Sequence, residues 1–175
     1  MLPEQFCVRM KEMLGEEYAA FYASYDLPKY QALRINPLKT ERDTFLLKAP
    51  FSLNRVPWTT NGYYYSGNDQ PGRHPYHEAG VYYIQEPSAM APAEYLMAEP
   101  GERILDLCAA PGGKSTQIAC SMQGEGLIVC NEIHPARAKI LSENIERMGV
   151  CNALVTNETP QKLSDNFREY FDRIL

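Results

Sequence analysis

The sequence has no surplus of positive charge: its formal net charge is −5. No bulk attraction to nucleic acid is therefore built in, and any such contact needs a local basic face. The two candidate segments, "DLPKYQALRINPLKTER" and "RAKILSENIER", are mixed in sign and read as solvated faces. No run approaches the ~20 apolar residues of a membrane span. The opening "MLPEQFCVRMKEMLGEEY" has neither the apolar core nor the cleavage site of a targeting segment. The expected location is the cytoplasm, with no membrane partner. Cys7, Cys108, Cys120, Cys130 and Cys151 form an odd set without a CxxC pair, which suits reduced, buried thiols. His74 and His77 form an HxxH in a proline-rich loop with no further ligand nearby, so no metal site is expected. Repeats and low-complexity tracts are also missing.

What is present is ordinary globular composition, 45% hydrophobic and 22% charged, in a length of 175 residues that holds one domain, or a small domain and part of a larger one. Phe6, Met10, Met13, Leu14, Phe21, Tyr22 and Tyr25 keep helical spacing, with Gly15 splitting the stretch into two helices. "YQALRIN" alternates Leu33 and Ile35 with polar neighbours and predicts a strand. "TERDTFLLK" predicts a short helix capped by Thr40, and "FSLNRV" and "GYYYS" predict two further strands. The loop-rich "SGNDQPGRHPYHEAG" then marks a boundary, giving a small α+β unit over 1–75 and a second domain over 76–175. Past it the rhythm changes. "EPSAMAPAEYLMA" is helical, "RILDLC" and "GLIVCN" are buried strands, and "KSTQIACSM" is the helix between them. "PARAKILSENIERMG" is a helix with Pro135 in its first turn and Gly149 at its C-cap. "NALVT" is a third strand and "FDRIL" a fourth. Strands alternating with helices predict an α/β fold with a parallel, doubly wound, Rossmann-like sheet.

The turn in "DLCAAPGGKSTQIA" decides the ligand class. A phosphate-binding P-loop requires glycine where Cys108 stands, and no Walker-B strand is identifiable. A dinucleotide fingerprint would place glycines where Cys108 and Ala110 stand. A cofactor without phosphates needs neither. S-adenosyl-L-methionine asks for a carboxylate near its charged end, a close-packed turn and an acid for the ribose hydroxyls. Asp106 ends the first strand, "CAAPGG" is small throughout, and Glu132 follows the second strand about 20 residues past Gly113, where a ribose-binding acid is expected.

"YYIQEPSAM", "ILDLCAAPGGKSTQIA" and "NEIHPARAKILSENIERMGV", in this order, resemble the Sun/Fmu-type RNA (cytosine-5-) methyltransferases, most strongly the bacterial RsmF/YebU branch, which modifies ribosomal RNA. The resemblance covers the whole chain. It implies that Cys108, Ala109, Ala110, Pro111, Gly112, Gly113 and Lys114 line S-adenosyl-L-methionine and that Glu132 holds its ribose. Thr159 stands where the family has an aspartate near the adenine, with Asn157 and Glu158 as alternatives. The resemblance also implies a covalent route: a cysteine adds to C6 of cytosine, C5 takes the methyl, a base removes the C5 proton, and the cysteine leaves. The family's two cysteines follow strands four and five. This chain stops at Leu175, so no catalytic residue is expected within it, and these residues are expected to be an inactive part of a longer, monomeric enzyme. RNA is the expected partner, met by the small unit through Arg34 and Lys39. The rival readings are a class I methyltransferase of another substrate class and a non-catalytic cofactor- or RNA-binding module. The residues following Leu175 would separate them: a proline-cysteine pair for RNA, asparagine-proline-proline-tyrosine for amino-group transfer.

Overall fold

The change of rhythm along the chain is a change of sheet. The computed structural model describes residues 2–175. It opens with helices α1 (Glu4–Leu14) and α2 (Tyr18–Ala23), separated at Gly15 as its spacing predicts, and neither helix has a buried residue. Their aromatic rings pack on one another and on Tyr25 of the following turn instead, with Phe21 and Tyr25 edge to face and their centroids 5.4 Å apart. Strand β1 (Ala32–Ile35), helix α3 (Arg42–Lys48) and strands β2 (Leu53–Arg55) and β3 (Gly62–Tyr65) follow where the sequence places them. The cap on α3 is not the expected one. Glu41 is the N-cap and makes no side-chain bond, while the Thr40 hydroxyl donates to the Glu41 carbonyl at 3.4 Å.

After the short helix α4 (Pro75–Glu78), strand β4 (Tyr82–Ile84) pairs antiparallel with β1, setting Arg34 opposite Tyr83. The first sheet therefore runs β2-β3-β1-β4, and the boundary expected at 75/76 falls inside this unit. The 66–80 stretch has linker composition, but it connects two strands of one sheet.

The second sheet is parallel, as predicted. Helix α5 (Ala91–Leu96) precedes β5 (Arg103–Asp106). Helix α6 (Gly113–Met122) crosses to β6 (Leu127–Asn131), α7 (Pro135–Arg147) crosses to β7 (Ala153–Thr156), and α8 (Pro160–Asn166) crosses to β8 (Arg173–Ile174). The order β7-β6-β5-β8 reverses at β5, the arrangement that opens a ligand crevice at the carboxyl ends of the strands. Ile104, Ile128 and Cys130 pack against Ile118, Met122, Leu141 and Ile145 of α6 and α7. Leu105 and Val129 face Leu163 of α8, so the sheet is covered on both sides.

An antiparallel sheet commonly leaves one face to water, yet every residue of β1 is buried. Leu33 and Ile35 meet Phe45, Tyr63 and Tyr82 on one face. The polar face, expected to be solvated, lies against the second unit, where Arg34 is 1% exposed and Asn36 fully buried. Asn36 donates to the carbonyls of Gly80 and Met148, both at 2.8 Å. The Lys39 ammonium donates to the carbonyls of Ala79 and Arg147 at 2.7 Å each. Arg34 is therefore not a free RNA contact, whereas Lys39 stays exposed while its ammonium bridges carbonyls of the two units.

At this seam Gly80 has φ +67°, and a Cβ there would overlap the Arg147 carbonyl oxygen. Gly80→Ala is expected to lower unfolding stability by about 2 kcal/mol or more, because strain and backbone overlap add. Gly67→Ala, which meets nothing within 4 Å, should stay within about 0.5 kcal/mol of the parent. Urea unfolding of the two variants side by side checks this; equal stabilities would refute the packing at the seam.

Candidate functional site

The apolar strand β5 delivers Asp106, 1% exposed, to the carboxyl edge of the second sheet. The Ser115 hydroxyl donates to its Oδ2 at 2.7 Å. Burial pushes the Asp106 carboxyl above its usual range, against the opposing pull of the Ser115 bond, Lys114 and the Cys108 amide. Beyond it the chain turns through Cys108–Lys114 into α6. Gly112 caps that helix at φ 111°, and a Cβ there would press on Leu141 Cδ1 at 3.3 Å. Only a residue without a side chain fits.

Four consecutive carbonyls of this turn accept bonds from side chains. Arg137 donates to Ala110 O at 2.8 Å. Asn144 and Tyr83 donate to Pro111 O at 2.8 and 3.4 Å. The Thr116 hydroxyl donates to Gly112 O at 2.7 Å, and Arg34 to Gly113 O at 3.2 Å.

At the end of β6, Asn131 is bonded through both ends of its amide. Its Nδ2 donates to Leu107 O at 3.3 Å and Glu158 O at 3.0 Å, and its Oδ1 accepts from Thr156 Oγ1 at 2.9 Å and Glu158 N at 3.0 Å. One side chain thus ties the ends of β5, β6 and β7 together. Glu132, 3% exposed, comes next. Its Oε1 accepts from the His134 amide at 3.0 Å, and its Oε2 lies 3.0 Å from Arg137 Nη1.

Two recesses flank the turn. One, about 260 Å³, is lined by Leu107, Cys108, Glu132, Ile133, Arg137 and Pro160. The other, about 250 Å³, lies between Gln85, Glu86 and Tyr83 of the first unit and Ala109–Pro111, Gly113 and Lys114. A larger recess, about 600 Å³, is elsewhere. It is an apolar flank of the sheet beside α8, lined by Leu105, Leu107, Leu163, Phe167, Phe171 and Ile174. Ser164, Asp165, Arg168 and Glu169 line it as well, but neither Glu132 nor any residue of the Cys108–Lys114 turn does.

The structure thus brings together Cys108, Ala109, Ala110, Pro111, Gly112, Gly113, Lys114 and Glu132. Thr159 is placed differently. Its hydroxyl caps α8, accepting from the Lys162 amide at 3.4 Å. Glu158 pairs with Lys162 at 2.9 Å, and Asn157 donates to Glu132 O at 2.6 Å. Arg137 is the site residue that the sequence reading missed, since it sits in a stretch read as a solvated face. Its signal was its place one helical turn past a buried acid. The histidine pair belongs to packing: His74 Nδ1 accepts the Tyr76 amide at 3.2 Å, and His77 lies 3.4 Å from exposed Glu78.

The model of the N-terminal domain of 16S rRNA methyltransferase RsmF matches residues 2–87, and that of 16S rRNA methyltransferase RsmB/F matches residues 93–175. Among curated relatives, ribosomal RNA small subunit methyltransferase F of Enterobacter sp. (strain 638) is 36% identical over 99% of this chain, which spans 38% of that protein. Its counterpart in Citrobacter koseri is 37% identical over the same shares. Among solved structures, a methyltransferase homolog protein from Pyrococcus horikoshii is 29% identical with a TM-score of 0.85, covering 99% of this chain and 58% of that one. NSun6 from Pyrococcus horikoshii, solved with SFG, shares the fold at 19% identity and a TM-score of 0.80, covering 93% of this chain and 67% of that one. The chain belongs to the RsmB/F family of 16S rRNA methyltransferases, with an RsmF-type N-terminal domain joined to the methyltransferase fold.

Proposed function

We propose that this chain is the cofactor-holding part of an S-adenosyl-L-methionine-dependent enzyme that methylates C5 of a cytosine in ribosomal RNA. The observation that carries the cofactor reading is the buried Glu132 carboxylate, set beside a turn of small residues at the carboxyl ends of β5 and β6. The residues fit the group. A carboxylate fixed by Arg137 and an amide keeps lone pairs for the two ribose hydroxyls. The small turn lets the cofactor approach the backbone, and Ile133 and Pro160 give the cleft apolar surface. Bound there, S-adenosyl-L-methionine supplies a methyl group on a positively charged sulfur. Thr159 caps α8 next to Pro160 of the cleft, and an adenine contact at Thr159, Asn157 or Glu158 belongs to the same reading. The similarity to ribosomal RNA small subunit methyltransferases F supports ribosomal RNA as the substrate. Acting as a monomer in the cytoplasm without a metal belongs to the same reading.

The family chemistry needs an activated cysteine. Burial pushes the Cys130 thiol up to about 12 and raises that of Cys120 as well. Cys108 lines the cleft assigned to the cofactor. Cys151 lies against Gly124, at the amino ends of the strands, and Cys7 is on α1. In this reading none of the five is the attacking cysteine, and residues 1–175 hold the cofactor and transfer no methyl by themselves.

Calorimetry with S-adenosyl-L-methionine should show binding to the parent chain and a tenfold to hundredfold loss in Glu132→Ala, from about 1.5–3 kcal/mol of lost hydrogen bonding to a charged group. Equal affinities would remove Glu132 from the site. Incubating the 175-residue chain with 16S rRNA and methyl-labelled cofactor should leave the RNA unlabelled. Label recovered at C5 of cytosine would sink the inactivity claim and force one of the five cysteines into the attacking role.

A further inference from the structure

Arg34 is among the largest fully buried side chains in the molecule, and no carboxylate forms an ion pair with it. Nε donates to Gln85 Oε1 at 3.0 Å, and Nη2 to Thr116 Oγ1 at 2.8 Å and Gly113 O at 3.2 Å. Nη1 meets Cys120 Sγ at 3.7 Å, and the guanidinium carbon lies 5.8 Å from the centre of the Tyr83 ring. Thr116 passes the contact on, donating its own hydroxyl hydrogen to Gly112 O at 2.7 Å. Hydrocarbon of similar volume would join two packed units at no desolvation cost, whereas a buried guanidinium needs its acceptors in place. Besides Gln85 and Cys120, the acceptors that Arg34 uses are a glycine carbonyl of the turn and the threonine that holds the adjacent one.

We propose that Arg34 is a positioning residue for cofactor binding: from the first unit it fixes the Gly112–Gly113 backbone that the second unit presents to the ligand. The N-terminal unit is then part of the cofactor site's construction, besides any role toward RNA. This rests on the reading of the Cys108–Lys114 turn as the cofactor's seat. Lysine at this position keeps the charge but cannot reach three acceptors with a fixed fork.

The test compares the parent, Arg34→Lys and Thr116→Val by hydrogen exchange of the amides of 112–116, with α3 amides as reference, and by calorimetry with S-adenosyl-L-methionine well below each melting midpoint. Both variants should exchange about tenfold faster at 112–116 with α3 unchanged, and should bind about tenfold more weakly. A merely structural Arg34 would lower the midpoint and speed exchange everywhere while the folded protein kept its affinity, and that result overturns the proposal. If Arg34→Lys does not fold, Thr116→Val decides, because it removes only the hydroxyl link; parental exchange and affinity in it also overturn the proposal. A parent chain that binds no S-adenosyl-L-methionine refutes the cofactor reading instead, and the exchange comparison, which needs no cofactor, still judges Arg34.

Discussion

A turn stripped of side chains cannot hold its own shape, and the rest of this structure is arranged around that constraint. Glycine populates more backbone conformations than any other residue, yet Gly112 and Gly113 must present one backbone to a ligand. The information that fixes them has to come from outside. It comes from α7 through Arg137 and Asn144, from β4 through Tyr83, from α6 through Thr116 and from β1 through Arg34. Leu141 and Asn144 close on Gly112 from one side, while Gln85 and Tyr83 close on Gly113 from the other. Each element is placed by its own hydrophobic core, so the turn inherits the rigidity of two separate cores.

The seam between the units is polar for the same reason. Arg34, Asn36, Gln85, Thr116 and Gln117 are all buried, and among the described residues no buried side-chain polar atom lacks a partner. Such a network adds little net stability, because every bond replaces one to water. Its effect is on register. A slip of β1 by one residue would bury Arg34 among Phe45, Tyr63 and Tyr82 and leave its acceptors empty, a mismatch of several kcal/mol. A purely apolar seam would tolerate such sliding with far less penalty.

Much of this was legible in the sequence because the signals were local. "RILDLC" and "GLIVCN" are short apolar runs that suit strands buried on both faces, Pro135 and Gly149 bracket α7, and the small turn with Glu132 marks the cleft. What was missed is non-local. The segment before β4 has the composition of a linker, and nothing within it shows that Tyr83 will pair with Arg34. Arg34 carries the composition of a solvated face, and only the second unit's Gly113 carbonyl and Thr116 hydroxyl make it interior. Thr40 matches a capping residue but lies one position early. Thr159 matches the position of an adenine contact, yet it precedes Pro160, and a threonine there is better used as a helix cap. Arg137 escaped because a charged helix face looks the same whether it meets water or a buried carboxylate.

Asp106 shows what the arrangement demands of the fold. Burial holds its carboxyl above the ordinary value, and the Ser115 hydroxyl, the Lys114 charge and the Cys108 amide only partly oppose this. For an acid whose folded value is raised, the folded state binds the proton more tightly than the unfolded chain. That preference favours folding at pH values below the unfolded pKa of about 3.9 and is lost as the pH rises through the folded value. Ionising this carboxylate therefore works against the preference of its surroundings. An asparagine would spare the fold that penalty while keeping the Ser115 bond. The neighbouring Glu132 is also buried, and its carboxylate is paired with Arg137. Two acids at adjacent strand ends are thus held by different means, one by an arginine and one by a hydroxyl and a helix start. Glu132 lines the recess proposed for a cofactor with a cationic sulfur and a ribose, while Asp106 is buried against Ser115 at the end of the adjacent strand. Carboxylates buried at these two strand ends are the arrangement that such a ligand would reward on binding.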